Sequence, residues 1–129
     1  MLSRRALALA MFALPLTAAG AYAAEKVTFS AAAFDSAQKA GKPILVEIHA
    51  TWCPTCKAQA PILAKLEDEP RFAELQVFHV DFDAQKDVVR QMGARMQSTL
   101  IVFKGAAETG RSVGDTNPDS IAALLSHSL

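Results

Sequence analysis

The sequence is short of several things, and each shortage narrows what the chain can be. It has two cysteines, Cys53 and Cys56, in 129 residues. Two are too few for a disulfide-stapled miniprotein or for a four-cysteine zinc site within one chain. Net charge is absent, with 13 Lys plus Arg against 13 Asp plus Glu. A basic grip on nucleic acid needs an excess of cations arranged in a stripe, and neither is there. No apolar run reaches the roughly 20 residues that a membrane-spanning helix requires. What is plentiful is apolar mass: hydrophobic residues make up 51% and charged residues 20%. That composition excludes wholesale disorder and supplies one packed core. The length suits a single domain. No internal repeat, low-complexity tract or linker divides it.

The first two dozen residues read as an export signal. Arg4 and Arg5 open the chain, and the first acidic residue is Glu25. Residues 6–19 are apolar apart from Thr17, with Pro15 inside the run. This is the length of a secretory h-region, and Ala21-Tyr22-Ala23 offers small residues where a signal peptidase reads them. Cleavage is expected after Ala23, with Ala24 as the near alternative, giving a signal peptide over 1–23 and a domain over 24–129. An uncleaved anchoring helix is the competing reading. The arginine pair also loosely resembles a twin-arginine signal, although the general route is favoured. Removing 23 residues leaves 106, with 11 basic and 13 acidic side chains. The expected location is the bacterial periplasm, where a cysteine pair can be oxidised.

The rest of the chain alternates between short β-rich runs and helical periods. A strand is expected over 27–29 and a helix over 31–40, capped by Ser30 and stopped by Gly41. Residues 44–50 (ILVEIHA) read as a central strand. A helix over 54–68 with Pro61 inside it, a short helical turn near 71–75 and a strand over 77–82 follow. Then come a helix over 86–92 closed by Gly93, a strand over 99–103, a turn over 104–110, a strand over 109–113 and a last helix after Asn117-Pro118. The order βαβαβαββα demands parallel pairing at its start and an antiparallel hairpin at its end. The fold class is α/β, with a mixed sheet of four to five strands flanked by helices.

Cys53 and Cys56 are two residues apart where a buried strand meets a helix. A thiol at a helix N-terminus faces unpaired N–H groups and the positive end of the helix dipole, which favours the thiolate. Cys56 lies one turn further in, close enough to form a small disulfide ring and less reachable. Cys53 is therefore expected to attack and Cys56 to resolve. A purely structural disulfide is the alternative, although so short a loop constrains the unfolded chain little. His49, His79 and His127 show no ligand spacing that would complete a zinc site. Glu47 is an acid inside an otherwise apolar strand. Charged and unpaired there it costs several kcal/mol, so burial favours the form that keeps its proton.

Trp52-Cys53-Pro54-Thr55-Cys56-Lys57 resembles the active-site motif of the thioredoxin family, in which Trp-Cys-x-x-Cys-Lys recurs. Pro61, Val80-Asp81-Phe82-Asp83, Gly93-Ala94-Arg95, residues 99–104 and Val113-Gly114 extend the likeness over nearly all of 27–125. The approach through Phe34, Lys39 and Gly41-Lys42-Pro43 is also similar to thiol-reducing domains of bacterial transmembrane electron transporters. The resemblance implies a thioredoxin fold and a buried acid at Glu47 that takes the proton from Cys56. Trp52, Pro54, Thr55 and Lys57 are implied as supporting residues. Trp52 is expected over the disulfide, and Lys57 in the local field or against Glu47. His49 stands where the family carries an aromatic, and packing as a neutral imidazole is its expected state.

One position departs from the family. A cis-proline is expected before the Thr of the strand beside the active site, and this chain has Ser98. A cis bond without proline costs about 3–4 kcal/mol, so the Gln97–Ser98 bond is expected to be trans. Gln97, Ser98 and Thr99 are expected to border the substrate groove. The function implied is exchange of a Cys53–Cys56 disulfide or dithiol with protein disulfides outside the cytoplasm, in the reducing direction. No cofactor is expected, since the cysteines carry the electrons. The expected partners are protein substrates and a membrane thiol donor, with no nucleic acid, and the chain is expected as a monomer. The alternative is a non-catalytic module. Loss of the proline would let Cys53 and Cys56 hold a metal, or an iron–sulfur cluster shared across a dimer, two thiolates being too few in one chain.

Overall fold

The structure, a computed structural model, describes residues 23–129. The expected export segment lies outside the described residues, apart from Ala23. Five strands form one sheet in the order β1-β3-β2-β4-β5. They are β1 (Glu25–Thr28), β2 (Pro43–His49), β3 (Gln76–Asp81), β4 (Thr99–Lys104) and β5 (Ala107–Val113). β3 runs parallel to both β1 and β2, while β4 is antiparallel to β2 and to β5. The crossovers α1 (Ala31–Lys39) and α2 (Pro54–Glu67) impose the parallel half, and a tight turn imposes the antiparallel half. α3 (Lys86–Gln91) and α4 (Pro118–Ser126) complete the set, with a 3-10 turn at Pro70–Phe72.

The helix ends follow their capping residues. Ser30 accepts from the Ala33 N–H at 3.2 Å, and Asn117 accepts from the Asp119 and Ser120 N–H groups at 2.9 and 3.1 Å. The expected turn over 104–110 proves shorter, because β5 already begins at Ala107. Gly105, at φ +58°, turns the chain at once, and a register shift at Val102/Phe103 absorbs the mismatch.

Side-chain alternation gives the sheet two buried faces. Ile44, Val46 and Ile48 of β2 pack with Phe78, Val80 and Ile101 under α1 and α3. Phe34 of α1 meets Phe78 and Phe103 edge-on at 5.6 and 5.3 Å. Leu45 of β2 packs with Val77, Leu100 and Val102 under Leu63 and Leu66 of α2 and Ile121, Leu124 and Leu125 of α4. Glu47 and His49 share the Leu45 face, beneath the helix that starts at the cysteines. No helix among the described residues is long and apolar enough to cross a membrane.

Candidate active site

β2 delivers the chain to Ala50, and the turn that follows starts α2. Cys53 is the N-cap of α2, with Pro54 at the first helical position, where a missing N–H costs nothing. The Cys56 N–H donates to the Cys53 sulfur at 3.1 Å, so sulfur does here what a serine oxygen does at other helix starts. An N–H donor at the positive end of a helix stabilises negative charge on that sulfur. Both thiols are free. Burial, and then the hydrogen bond to Cys53, push the Cys56 thiol up to about 11, while the N–H groups of Ala50 and Ser98 pull the other way.

The expectation that Cys53 is the more reachable sulfur is corrected. Cys53 is 1% exposed and Cys56 3%. Both lie in a small cluster with Ala50, against the half-buried Phe82. The capping bond is the physical reason: it turns the Cys53 sulfur back over the helix end. The sulfurs therefore differ in their hydrogen bonding rather than in their exposure, and an incoming disulfide has to displace neighbours to reach Cys53.

Trp52 is not a core aromatic. It is 55% exposed, and its indole N–H donates to Asp83 at 2.7 Å. Pro54 is exposed and Thr55 half-buried. Glu47 is buried in the central strand β2. Its cation is Lys26, not Lys57: Lys26 Nζ lies 3.0 Å from Oε2, an ionic contact rather than a directed hydrogen bond. Lys57 is exposed and makes no ion pair among the described residues. Glu67, at the end of α2, shares this polar island. Burial raises its carboxyl to about 7, Lys26 opposes the rise, and Glu47 adds to it. His49 packs against His79 with ring centroids 4.8 Å apart. Burial, the largest influence, lowers the His79 pKa.

Among the described residues there is no cis peptide bond, so Gln97–Ser98 is trans as expected. The groove assignment is corrected in part. Ser98 and Thr99 are buried, and Gln97 alone of the three is half-exposed. The reason is that β4 pairing begins here, with the Ser98 N–H donating to Ile48 O at 2.8 Å. Gln59, Lys26 and Glu67 were not foreseen. Gln59 had a readable signal, because it falls on the inward stripe Cys56, Gln59, Leu63, Leu66. Among the described residues no group of three or more His, Cys, Asp or Glu is placed to hold a metal ion.

A dithiol capping a helix beside a mixed sheet, with inequivalent sulfurs, defines a thiol–disulfide oxidoreductase. The comparisons with known proteins agree. The Thioredoxin family model matches residues 25–127. The chain is similar to thioredoxin Asp f 29 of Aspergillus fumigatus, 29% identical over 103 residues, covering 80% of this chain and 94% of that one. It is 34% identical to thioredoxin-2 of Saccharomyces cerevisiae over 97 residues, covering 74% and 90% of the two chains. Among solved structures, Trxlp from Edwardsiella tarda superposes with a TM-score of 0.77 at 40% identity, over 78% of this chain and 98% of that one. The chain belongs to the thioredoxin family.

Proposed function

We propose that this chain is a protein-disulfide reductase that works outside the cytoplasm. The observation that carries the reading is the Cys56 N–H bond to the Cys53 sulfur at 3.1 Å. It equips Cys53 to bear negative charge, whereas Cys56 keeps its proton to about 11. The Cys53 thiolate attacks a client disulfide. That bond breaks, one client sulfur leaves as a thiolate, and the other is joined to Cys53. Cys56 then gives up its proton and attacks the Cys53 sulfur. The mixed disulfide breaks, the second client thiolate leaves, and two electrons have passed to the client. The cysteine pair remains as a disulfide.

Glu47 is the proton acceptor in this scheme. It is a buried acid on the α2 face of the sheet, with Lys26 Nζ 3.0 Å from its Oε2. Trp52, Pro54, Thr55 and Lys57 surround the pair, and Gln97 borders the client path with Ser98 and Thr99 beneath it. No cofactor is needed, a membrane thiol carrier restores the dithiol, and the chain acts as a monomer. Export rests on Arg4, Arg5, the apolar run over 6–19 and Ala21-Tyr22-Ala23. Cleavage after Ala23 would keep Ala24, whose N–H donates to Glu67 O at 3.0 Å. The reducing direction rests on the absence of histidine between the cysteines.

The test is a Cys56→Ser variant expressed with its export signal. Clients are expected to remain joined to Cys53 as mixed disulfides that mass spectrometry identifies and reducing agent releases. The absence of such adducts, with the variant folded and exported, would falsify the reading. Equilibration with glutathione checks the direction: a potential near −120 mV, typical of a strong oxidant, would make the protein an oxidase instead.

A further inference from the structure

Phe82, the residue that follows β3, belongs to two neighbourhoods. Its half-buried side chain packs against the cluster of Ala50, Cys53 and Cys56, and it also lines a cavity of about 220 Å³ beside α3. The floor of that cavity is apolar: Phe82, Val89 of α3 and Ala94 just beyond it. The rest of the lining is cationic, with Lys86, Arg90 and Arg95 all exposed. Among the described residues no carboxylate lines it. Arg90 is paired with Asp87. Lys86 and Arg95 make no ion pair among the described residues. Asp83, next to Phe82 in the chain, is already held by the Trp52 indole N–H. Two uncompensated cations therefore stand at the rim of an apolar hollow, one side chain away from the sulfurs.

Size and polarity decide what fits. Small-molecule sites run from about 300 Å³ upward, so this hollow takes a side chain rather than a whole small molecule. Ala94 and Arg95 also border a second hollow, of about 270 Å³, together with the exposed Met96 and Val113. Arg95 thus lies between two apolar surfaces. A free anion would leave both in water, whereas a peptide with apolar side chains near a carboxylate covers them. We propose that the Phe82 cavity docks the client and selects disulfides whose cysteine lies near an acidic and an apolar side chain: the apolar one enters beside Phe82 and the carboxylate meets Lys86 and Arg95. Docking there brings the client disulfide against Phe82, one of the neighbours that cover Cys53. Because the cations are exposed, they act on encounter and on choice of client rather than on thiol chemistry. This inference deepens the reductase reading above and rests on it for its chemistry, while the docking can be measured by itself.

The probes are two synthetic disulfide peptides, one with Asp and Leu beside its cysteine and the other with Lys and Leu. The dithiol protein is expected to reduce the acidic peptide faster on the order of tenfold, the lower end of the range for electrostatic steering. The double variant Lys86→Gln/Arg95→Gln is expected to bring that ratio close to one. Raising salt from about 0.1 M to about 1 M, which shortens the screening length from about 10 Å to about 3 Å, is expected to do the same. Gly in place of the peptide's Leu is expected to slow the acidic peptide on the order of tenfold. A ratio of rates cancels any change in the reactivity of the sulfurs. Docking is read separately, from the amide chemical shifts of Val89 and Ala94 with the same peptides carrying serine for cysteine. The acidic peptide is expected to move these signals, and the lysine peptide and free succinate are not. Equal rates for the two peptides, an undiminished ratio in the double variant, or equal shifts with succinate, which would mean an anion site only, each overturn the proposal. A protein that reduces neither peptide yet shows the acidic-peptide shifts overturns the reductase reading and leaves the docking site standing. Neither reduction nor shifts overturns both.

Discussion

Glu47 shows how a single side chain can be foreseen in kind and missed in its setting. Its place in an apolar strand marked it as buried and acidic, and the structure puts it there. Its partner was invisible, because Lys26 lies on β1 and reaches Glu47 across β3, a neighbourhood that follows from strand order and not from sequence distance. Gln59 and Ser98 are 39 residues apart and are joined in the same way. The cysteine pair was legible because its geometry is local: cap, first turn and two sulfurs fit within four residues. Its burial was not, since it depends on Phe82 arriving from the end of β3. For Glu47→Gln the expectation is a folded protein whose resolving step slows by at least about tenfold, general-base assistance being worth roughly 10²–10⁴-fold at full strength. Stopped-flow thiol exchange across pH checks this, and an unaltered pH profile would remove Glu47 from the mechanism.

Helices and strands were readable where local chemistry decides them. Ser30, Asn117, Gly41 and Gly93 mark ends that hydrogen bonding confirms or that positive φ explains. The start of β5 was not readable, because Ala107 and Glu108 carry no strand pattern and become strand only by pairing with Lys104 and Phe103. The junction of α2 with β1 makes a testable case. Glu67 titrates near 7 in the fold against an ordinary 4.5, chiefly through burial. Between those values the unfolded chain loses the proton and the folded chain keeps it. The group's stabilising contribution is thus complete at low pH and is lost as pH rises through about 7. Glu67→Gln, neutral throughout, is expected to flatten this slope and to melt at least a few degrees higher than the parent at pH 8, on the scale of about 4–8 °C per kcal/mol. Thermal melts of both proteins from acid to mildly basic pH decide it; parallel curves would mean that Glu67 is already solvated and charged.

For the chain taken whole, the composition and the βαβαβαββα order pointed to one α/β domain before any coordinates, and the export-like start raised the expectation of a signal peptide. The order was borne out, and the processing is open to direct measurement. N-terminal sequencing of the exported protein is expected to begin at Ala24; a chain starting at Met1 and retained inside the cell would overturn the assignment. What could be read in advance was governed by interactions a few residues long: caps, alternation, turns and the proximity of two sulfurs at one helix end. Which side chains meet across the sheet was settled only by folding. β3 is inserted between β1 and β2, and the residue 98 loop is laid against α2. That crossing brings Lys26 to Glu47, Gln59 to Ser98 and Phe82 to the thiols. Burial energy and hydrogen-bond satisfaction select those meetings, and both exist only once distant segments share one interior.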